Sequence, residues 1–498
     1  MDSAPSDSQH WFAHSADDLS ALQDQILTIL KDYYLQPDRP ITSGLKKNSL
    51  FKRLYRAEPP QDGVGFPAAL EHFQSEILPF SVRTWHPLFL NQMFPGASYP
   101  AVVGDLLASM LNPTLATFEV SPAATLIERN VSAWMAQLLG LPAGSGGIFL
   151  PGSSLANLLA LTVARNRFLS PETGRRGLPA NTQGVIICSE ASHYSVANAA
   201  NLLGIGTDHI VLVKTNSRAE MDVADFRQQL IRCDQSGWTP FAVVLTAGVT
   251  VTGGIDPLEE IISICRDRPV HIHVDAAFGG GLALTSRGQH YLRGLASAHS
   301  VCWDAHKWFH APLTSTVLLV PDLQALRSTF SSDADYLFHP QEEMHDQLDD
   351  LGHYTILCGK RFDALKIWLL WLGYGTEYFR QLAESRLALT QAFYELLLVA
   401  PDFTPAYEPV TPIVCFRYQP PEFGGLQTAY ADRMHRAIRE TIKHAGIAFF
   451  NYSSLNGSIA FRTVLVNPLT TLSHLQNLIT AIREAGQRFL HANPPRNC

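Results

Sequence analysis

The sequence predicts an α/β protein whose central sheet is mostly parallel and covered by helices on both faces. Short apolar runs rich in β-branched residues alternate with helical segments through the middle of the chain. These runs lack the polar alternation of a sheet that faces water, which indicates burial on both faces. Ligands of such sheets bind beyond the carboxyl ends of the strands, so we expect the site there. The predicted strands are residues 184–188, 210–213, 241–245, 270–274, 300–303 and 315–320.

The pattern divides the chain into three regions. Residues 1–105 predict a helical arm, with an amphipathic run over residues 17–34 and a connector containing proline and glycine at 59–67. Residues 106–375 carry the alternating strands and helices and form the predicted large domain. Residues 376–498 predict a small C-terminal α/β domain that closes on an amphipathic helix. The apolar face of that helix contains Leu472, Leu475, Leu478, Ile479 and Ile482.

Composition and charge predict a globular, cytoplasmic protein. The chain has 498 residues, of which 46% are hydrophobic, enough for a large buried core. Its formal net charge of −8, without a cluster of lysine and arginine, predicts neither nucleic acid nor an anionic membrane as a partner. Its seven cysteines form no CxxC pair, which indicates a reducing compartment. The polar first residues, and the absence of an apolar run of ~18 residues, predict neither secretion nor membrane insertion.

The stretch from Trp303 to Trp308 places Lys307 between aromatic rings, directly after an apolar run. Ammonium is costly to bury and gives up its proton readily where water is scarce, which leaves an amine that can attack an aldehyde. Upstream, another apolar run ends at Asp275 and is followed by small residues that admit a flat ligand. A lysine that carries an aldehyde and a carboxylate that keeps a pyridine nitrogen protonated suit pyridoxal phosphate. The two residues therefore predict this cofactor.

A glycine turn at Gly152 leads into an apolar helix and predicts a phosphate site. The turn leaves free backbone N–H groups and the hydroxyls of Ser153 and Ser154 at the helix N-terminus. The helix dipole favours an anion at that end. The motif extends to Asn157, and it would hold the phosphate of the cofactor that Lys307 binds.

These motifs, in their order and spacing, resemble those of the group II pyridoxal-phosphate-dependent amino acid decarboxylases, which include the glutamate, cysteine sulfinate and aromatic amino acid decarboxylases. The resemblance runs from about His86 to Arg462. It implies an aspartate aminotransferase-like fold (PLP fold type I). It also implies a homodimer with active sites near the subunit interface and the N-terminal arm over the partner. The matching segments are 86–87, 121–123, 152–157, 192–194, 246–248, 256–258, 274–277, 306–308 and 362–366.

The resemblance also implies roles for single residues around the cofactor. His193 matches a histidine that stacks on the pyridine ring, Ala277 lies against the ring, and Thr246 lies on its hydroxyl side. His306 and Asp304 match residues near the phosphate, although relatives commonly have asparagine in place of Asp304. A carboxylate that faces phosphate would be repelled, so we expect Asp304 to point away or to pair with a cation. The implied cofactor contacts are Ser153, Ser154, Asn157, His193, Thr246, Asp275, Ala277, His306 and Lys307.

The implied activity is decarboxylation of an L-amino acid to an amine and carbon dioxide. Arg462 matches an arginine that the family uses toward the substrate carboxylate, a planar anion that suits guanidinium. Asn91 and Gln92 resemble the glutamate and cysteine sulfinate enzymes, in which an amide near the position of Gln92 faces an acidic side chain. Segments 94–95 and 98–101 are instead similar to the aromatic decarboxylases. We favour a small acidic substrate such as glutamate, aspartate or cysteine sulfinate, with an aromatic substrate as the alternative.

One departure from the family concerns the catalytic proton donor. Relatives carry a mobile loop whose tyrosine protonates the substrate Cα, and the corresponding residues 339–352 contain no tyrosine. Aligning residues 344–346 with the family's triplet puts His345 in its place, so we expect His345 to be the general acid. Family members that lose this tyrosine can divert the reaction to oxygen, so an aldehyde synthase is the second possible activity.

An unrelated chemistry is suggested by His271, His273 and Asp275, which share one strand face by period-two spacing, as in some metal hydrolases. That interpretation leaves Lys307 and the phosphate turn unexplained, so we predict no metal. A cofactor-free binding protein is opposed by the presence of both Lys307 and Asp275.

Overall fold

The computed structural model of the protein describes residues 15–36, 39–44, 47–179, 182–332, 334, 337–338, 350–421 and 427–494. Its strands form two sheets, and helices pack against both. The strands are β1 (Phe89–Leu90), β2 (Gly146–Leu150), β3 (Gly184–Ser189), β4 (Ile210–Val213), β5 (Thr239–Thr246), β6 (His271–Asp275), β7 (Ser300–Asp304), β8 (Thr316–Val320), β9 (Phe403–Pro405), β10 (Ile413–Tyr418), β11 (Phe449–Leu455) and β12 (Ser458–Val464). The helices are α1 (Ala16–Tyr34), α2 (Lys47–Leu54), α3 (Phe66–His72), α4 (Tyr99–Leu111), α5 (Pro122–Leu138), α6 (Ser153–Ala164), α7 (Thr173–Arg176), α8 (Ser195–Leu202), α9 (Val223–Ser236), α10 (Leu258–Cys265), α11 (Ser286–Tyr291), α12 (Ala305–Trp308), α13 (Gln324–Phe330), α14 (Ala364–Val399), α15 (Thr428–His444) and α16 (Leu472–Ala492).

The larger sheet has the strand order β2-β8-β7-β6-β5-β3-β4. Strands β3 to β7 run parallel, whereas β8 is antiparallel to both of its neighbours, β7 and β2. This confirms the predicted mostly parallel sheet. The sequence did not predict β2, because a strand that begins Gly146-Gly147 carries few side chains to signal it. Gly147 allows a close approach, since a Cβ atom there would lie 2.1 Å from the carbonyl oxygen of Leu318.

Both faces of this sheet are covered, which explains why its strands are apolar throughout. Along β3, the side chains of Val185 and Ile187 belong to one core, and those of Ile186 and Cys188 belong to the core on the opposite face. Helices α9 and α10 contribute to the first core and α8 to the second, whereas α6 contributes to both. Burying each aliphatic side chain of this kind contributes about 1.5–3 kcal/mol, so neither face tolerates polar alternation.

The register of the parallel strands brings the chemically distinctive residues to one edge. Thr246, at the end of β5, is paired with Asp275, at the end of β6, and Asp275 is paired with Cys302 in β7. Helix α12, which contains Lys307, follows β7 without a break. The carboxyl ends of β5, β6 and β7 therefore form the floor of the candidate site.

The smaller sheet has the order β1-β11-β12-β10-β9. Its strand β1 comes from the region predicted as a helical arm and runs parallel to β11, with Phe89 opposite Phe449. The sequence predicted helices and loops in this region and did not predict β1, because a two-residue strand is too short to show periodicity. Leu88 and Leu90 are buried with the core of this sheet. The predicted domain boundaries at residues 105 and 375 stay a prediction.

The terminal helices follow the predicted amphipathic runs. Helix α1 covers the run predicted at 17–34, and α16 buries Leu475, Leu478, Ile479 and Ile482, with Leu472 half-buried. Helix α14 is interrupted at Gly375, whose φ of 73° and ψ of 168° break the helical geometry. Within the described part of the chain, no helix has the length and apolar character needed to cross a membrane.

Candidate active site

Lys307 lies in α12 at the edge of the larger sheet, with 17% of its side chain exposed. The flanking indoles of Trp303 and Trp308 are buried. Gly280 and Gly281 accommodate these rings, because a Cβ atom would lie 2.6 Å from Trp303 and 2.1 Å from Trp308 respectively. These two glycines therefore admit the indoles on either side of Lys307.

Asp275 is held by a network of buried side chains behind the site. Its Oδ2 accepts a hydrogen bond of 2.9 Å from Nδ2 of Asn157, and its Oδ1 accepts one of 3.1 Å from the backbone N–H of Ala277. Cys302 donates through its thiol to Asp275 Oδ1 at 3.4 Å. Burial raises the pKa of this thiol well above its usual value, so it stays protonated as a donor. Three donors therefore converge on this one carboxylate.

The network behind Asp275 has one consistent direction of donation. Burial lowers the pKa of His273 to about 4 and that of His271 well below its usual value, so each ring carries one proton at neutral pH. Asn157 uses its amino group for Asp275, so its Oδ1 accepts from His273 Nε2 at 2.9 Å. His273 Nδ1 then accepts from the hydroxyl of Ser300, which in turn accepts from His271 Nε2, each at 2.8 Å. Every donor in this chain points toward Asp275.

This series of hydrogen bonds explains why His271 and His273 lie on the same face of their strand. Both imidazoles bond to the same Ser300 hydroxyl, and no group of metal-ligating side chains is found among the described residues. His271 also stacks on His299, with ring centroids 5.2 Å apart. Hydrogen bonds and ring stacking therefore explain the spacing of the two histidines, and a metal site is not needed to explain it.

His193 lies beside the same network, after β3. Asn157 donates to the hydroxyl of Ser195 at 2.8 Å, and this hydroxyl donates to Nδ1 of His193 at 2.8 Å. Burial lowers the pKa of His193, and the charged groups that act on its ring are Asp275, Lys307 and Asp304. A neutral His193 that accepts at Nδ1 must carry its proton on Nε2. The structure thus brings His193, Asp275 and Lys307 together and fixes the tautomer of the histidine.

The glycine turn before α6 has the predicted geometry. Gly152 has a φ of 109°, which places the hydroxyl-bearing residues Ser153 and Ser154 in the first turn of a twelve-residue helix. Ser153 donates to Oδ1 of Asp304, whereas Ser154 is exposed. The backbone N–H groups at this helix start are suited to bind an anion.

Asp304 forms an ion pair, which is one of the two arrangements that we expected from the sequence. Its Oδ2 lies 2.9 Å from Lys307 Nζ and 3.5 Å from His306 Nε2. His306 is buried, and its Nδ1 accepts from the backbone N–H of Ser315 at 3.2 Å. Burial lowers the pKa of His306 despite the neighbouring carboxylate. The cation that Asp304 engages is therefore the predicted nucleophile itself.

Thr246 is positioned by a carboxylate whose role the sequence did not predict. Asp256 is buried, and its Oδ2 accepts the backbone N–H of Thr246 at 2.7 Å, while its Oδ1 accepts that of Met221 at 2.7 Å. The side-chain hydroxyl of Thr246 is buried and has no hydrogen-bond partner in the described structure. This orphaned hydroxyl beside Asp275 is a place where a ligand hydroxyl would fit.

Arg462, in β12, is 4% exposed and donates from Nη1 to the backbone oxygen of Asn91 at 3.0 Å. Its Nε and Nη2 atoms and the side-chain oxygen of Asn91 are buried and have no partner among the residues that the structure describes. Arg462 is opposite Cys415, whose thiol donates to the oxygen of Val251, in the loop after β5, at 3.3 Å. This contact joins the smaller sheet to the site-bearing edge of the larger one.

The structure does not bring Gln92 into this cluster. Gln92 is exposed and makes no hydrogen bond with the described residues. His345 lies outside the described residues. The sequence also gave no indication of Ser195 and Ser300, because their importance depends on which strands and helices become neighbours.

Comparison with known proteins identifies similar chains over most of this length. Residues 51–419 match the family model described as the pyridoxal-dependent decarboxylase conserved domain. The structure of mouse CSAD is similar, with a TM-score of 0.87 and 28% identity over 95% of this chain and 99% of that one. Oryza sativa TDC, solved with PLP and tryptamine, has a TM-score of 0.88 and 25% identity, again over 95% and 99%. Rhodiola rosea 4-hydroxyphenylacetaldehyde synthase has a TM-score of 0.84 and 25% identity over the same shares. The predicted PLP fold type I is confirmed by these similarities.

Proposed function

The chain belongs to the pyridoxal-dependent decarboxylase family, whose members are carboxy-lyases that use pyridoxal phosphate, and on that premise we propose that it converts a small acidic L-amino acid to an amine. Glutamate, aspartate and cysteine sulfinate are the candidate substrates. The family membership and the cofactor are those that the sequence predicted. The substrate class and the roles of individual residues are the part that we propose.

The observation that carries the proposal is the buried guanidinium of Arg462, which suits the α-carboxylate of any amino acid, and the acidic class rests on the amides of Asn91 and Gln92. A buried cation with two free donor nitrogens is unfavourable unless an anion joins it. A carboxylate of the substrate would satisfy Nε and Nη2 in the bidentate geometry that guanidinium favours. The amides of Asn91 and Gln92, which follow β1 directly, add polar groups that suit a second carboxylate or a sulfinate.

The residues at the strand ends fit pyridoxal phosphate. We assign the aldehyde to Lys307, the pyridine nitrogen to Asp275, and the ring faces to His193 and Ala277. The orphaned hydroxyl of Thr246 fits the ring hydroxyl. The phosphate is assigned to the N-terminal turn of α6 and to residues near α12, namely Ser153, Ser154 and His306. When bound, the cofactor accepts the electrons of the bond between Cα and the carboxylate.

The protein groups around this cofactor each have a defined task. Asp275 keeps the pyridine nitrogen protonated, and the chain through Asn157 and His273 stabilises its negative charge. Asn157 thus acts on the cofactor through Asp275, since its amide atoms are engaged by protein partners. His193 presents a proton on Nε2, and Arg462 holds a substrate carboxylate. We assign the delivery of a proton to the substrate Cα to His345, by the sequence comparison alone.

A substrate panel tests the proposed class. The purified enzyme with cofactor is expected to turn over glutamate, aspartate or cysteine sulfinate in preference to tyrosine, tryptophan and DOPA, measured as kcat/KM for amine release. Gln92→Leu is expected to raise KM for the acidic substrate about tenfold. The acidic side chain of the bound substrate then loses its amide partner, and an unpaired polar group typically costs ~1–3 kcal/mol. Gln487→Leu, at an exposed position of α16, is the control. Efficient decarboxylation of aromatic amino acids without turnover of any acidic one would refute the substrate class but not the family.

The tyrosine-free stretch 339–352 supports a second candidate product, an aldehyde. His345→Phe is expected to leave cofactor content and KM nearly unchanged, to slow amine release by at least about tenfold, and to increase aldehyde, because the imidazole proton is lost. Amine, aldehyde, ammonia and peroxide are measured together. His345→Tyr should restore amine formation, and His339→Phe, in the same stretch, is the control. A wild-type rate and product ratio in His345→Phe would show that another group delivers the proton.

We also propose that the chain is a homodimer. Exposed apolar side chains are grouped on α4 and at the start of α5, which supports an interface there. They are Leu106, Met110, Leu111 and Leu126. Sedimentation at the mass of the single 55.0 kDa chain would contradict the proposal.

A further inference from the structure

Asp304 contacts two protein groups that we assign to the cofactor, the amine of Lys307 for its aldehyde and the hydroxyl of Ser153 for its phosphate. It ends β7 and precedes Lys307 by three residues. One carboxylate oxygen accepts from the hydroxyl of Ser153, at the start of α6, and the other lies 2.9 Å from Lys307 Nζ. Its side chain is 3% exposed, so water does not screen these contacts.

The two contacts correspond to neighbouring positions on pyridoxal phosphate. The aldehyde and the phosphate-bearing carbon are attached to adjacent atoms of the pyridine ring, so the protein groups that receive them must also be neighbours. Asp304 lies between those groups and carries the same sign of charge as the phosphate. Its carboxylate accepts the hydroxyl of Ser153 at the helix N-terminus, the place where the cofactor's phosphate would bind.

We propose that Asp304 is an internal competitor of the cofactor's phosphate and thereby lowers the affinity of this chain for the phosphorylated cofactor. The inference rests on the proposed role of Lys307 and of the turn at Ser153. Binding of the phosphate requires Ser153 to give up Asp304 or to share its donor with a second anion. Asp304 keeps Thr316 as a hydroxyl partner and Lys307 as a cation during this exchange.

The surroundings keep Asp304 ionised. Burial opposes its charge, but Lys307 and His306, together with the Ser153 and Thr316 hydroxyls, lower the pKa of the carboxyl below its ordinary value. His193 and Cys302 also lie within electrostatic reach of it. The conflict with a phosphate dianion is therefore present at neutral pH.

Asp304→Asn tests the inference, because the amide keeps the shape of the side chain and removes its charge. The dissociation constants of pyridoxal phosphate and of pyridoxal, which lacks the phosphate, are measured by equilibrium dialysis with the cofactor-free wild type and the variant. Loss of the ion pair frees Lys307 and acts on both ligands, whereas loss of repulsion acts on the phosphorylated one alone. We expect the affinity for pyridoxal phosphate to rise about tenfold more than that for pyridoxal.

Equal changes for the two ligands, or a weaker affinity for pyridoxal phosphate, would overturn the inference. Asp304→Ser is the second charge-free variant if the amide variant does not fold, and circular dichroism establishes folding. The same pair of ligands is also compared in Lys307→Ala and in Lys307→Ala with Asp304→Asn. Without Lys307 the ion pair is absent, and the carboxylate of Asp304 must still weaken the binding of pyridoxal phosphate relative to that of pyridoxal. If the wild type binds no cofactor through Lys307, the proposed function fails. That result differs from equal changes in the affinities for pyridoxal phosphate and pyridoxal, which would overturn only the role of Asp304.

Discussion

Lys307→Ala is expected to abolish covalent attachment of pyridoxal phosphate and to lower kcat by at least about a thousandfold. The amine of Lys307 is the group that we assign to the cofactor's aldehyde, and its loss removes both the attachment and the return of the enzyme to its starting state. A thousandfold loss corresponds to about 4 kcal/mol of the barrier. The measurement is borohydride reduction of the cofactor-loaded protein, followed by mass spectrometry of the peptide that contains residue 307.

Other buried lysines offer no substitute for Lys307. Lys360 is paired with Glu128, and Lys366 lies 2.9 Å from Asp105 and 3.0 Å from Asp363, so both ammonium groups are bound to carboxylates other than the strand-end residues Asp275 and Asp304. Lys214→Ala, at an exposed position, is the matched control and should keep the adduct at Lys307. An adduct that forms with wild-type stoichiometry in Lys307→Ala would remove the basis of the assignment.

Asp275→Asn is expected to retain part of the cofactor but to lose about a thousandfold in kcat. A neutral amide does not keep the pyridine nitrogen protonated, and loss of about 4 kcal/mol of stabilisation of the developing charge gives that factor. The measurement combines kcat with the visible absorption of the bound cofactor, which depends on its state of protonation. Asp208→Asn, at an exposed position, is the control.

The reason for so large an effect is the number of donors that converge on one carboxylate. Asn157, Ala277 and Cys302 all donate to Asp275, and an amide in its place would direct N–H groups toward donors. Such a buried mismatch is costly in addition to the loss of charge. If Asp275→Asn has a rate within tenfold of the wild type and an unchanged spectrum, another residue must control the pyridine nitrogen.

The sequence predicted the parts of the site that depend on local pattern. Apolar strands that end in Thr246 and Asp275, and the lysine after β7, were sufficient to expect that these residues meet at one edge. The pairing of Asp304 with a cation was one of the two arrangements expected from its charge. Contacts between distant segments were beyond such reasoning. The link from His271 through Ser300 to His273 depends on the register of β6 against β7.

Other differences between the prediction and the structure also arise from contacts between distant segments. The short strand β1 acquires its structure by pairing with β11, which lies some 360 residues away in the chain. Gly280 and Gly281 are small because two indoles pack on them, which only the tertiary structure reveals. The exposure of Gln92 likewise depends on the packing around β1 and was not visible in its motif.

Decarboxylation itself is tested most directly with amino acids that carry 13C in the α-carboxylate. The enzyme loaded with pyridoxal phosphate is incubated with labelled glutamate, aspartate and cysteine sulfinate in turn, and with labelled aromatic amino acids. Labelled carbon dioxide, amine, aldehyde and 2-oxo acid are then quantified. We predict that one substrate gives labelled carbon dioxide in equal amount to the amine, and that the cofactor-free protein gives none. Formation of a labelled 2-oxo acid without carbon dioxide, or equal carbon dioxide release without the cofactor, would contradict the assignment.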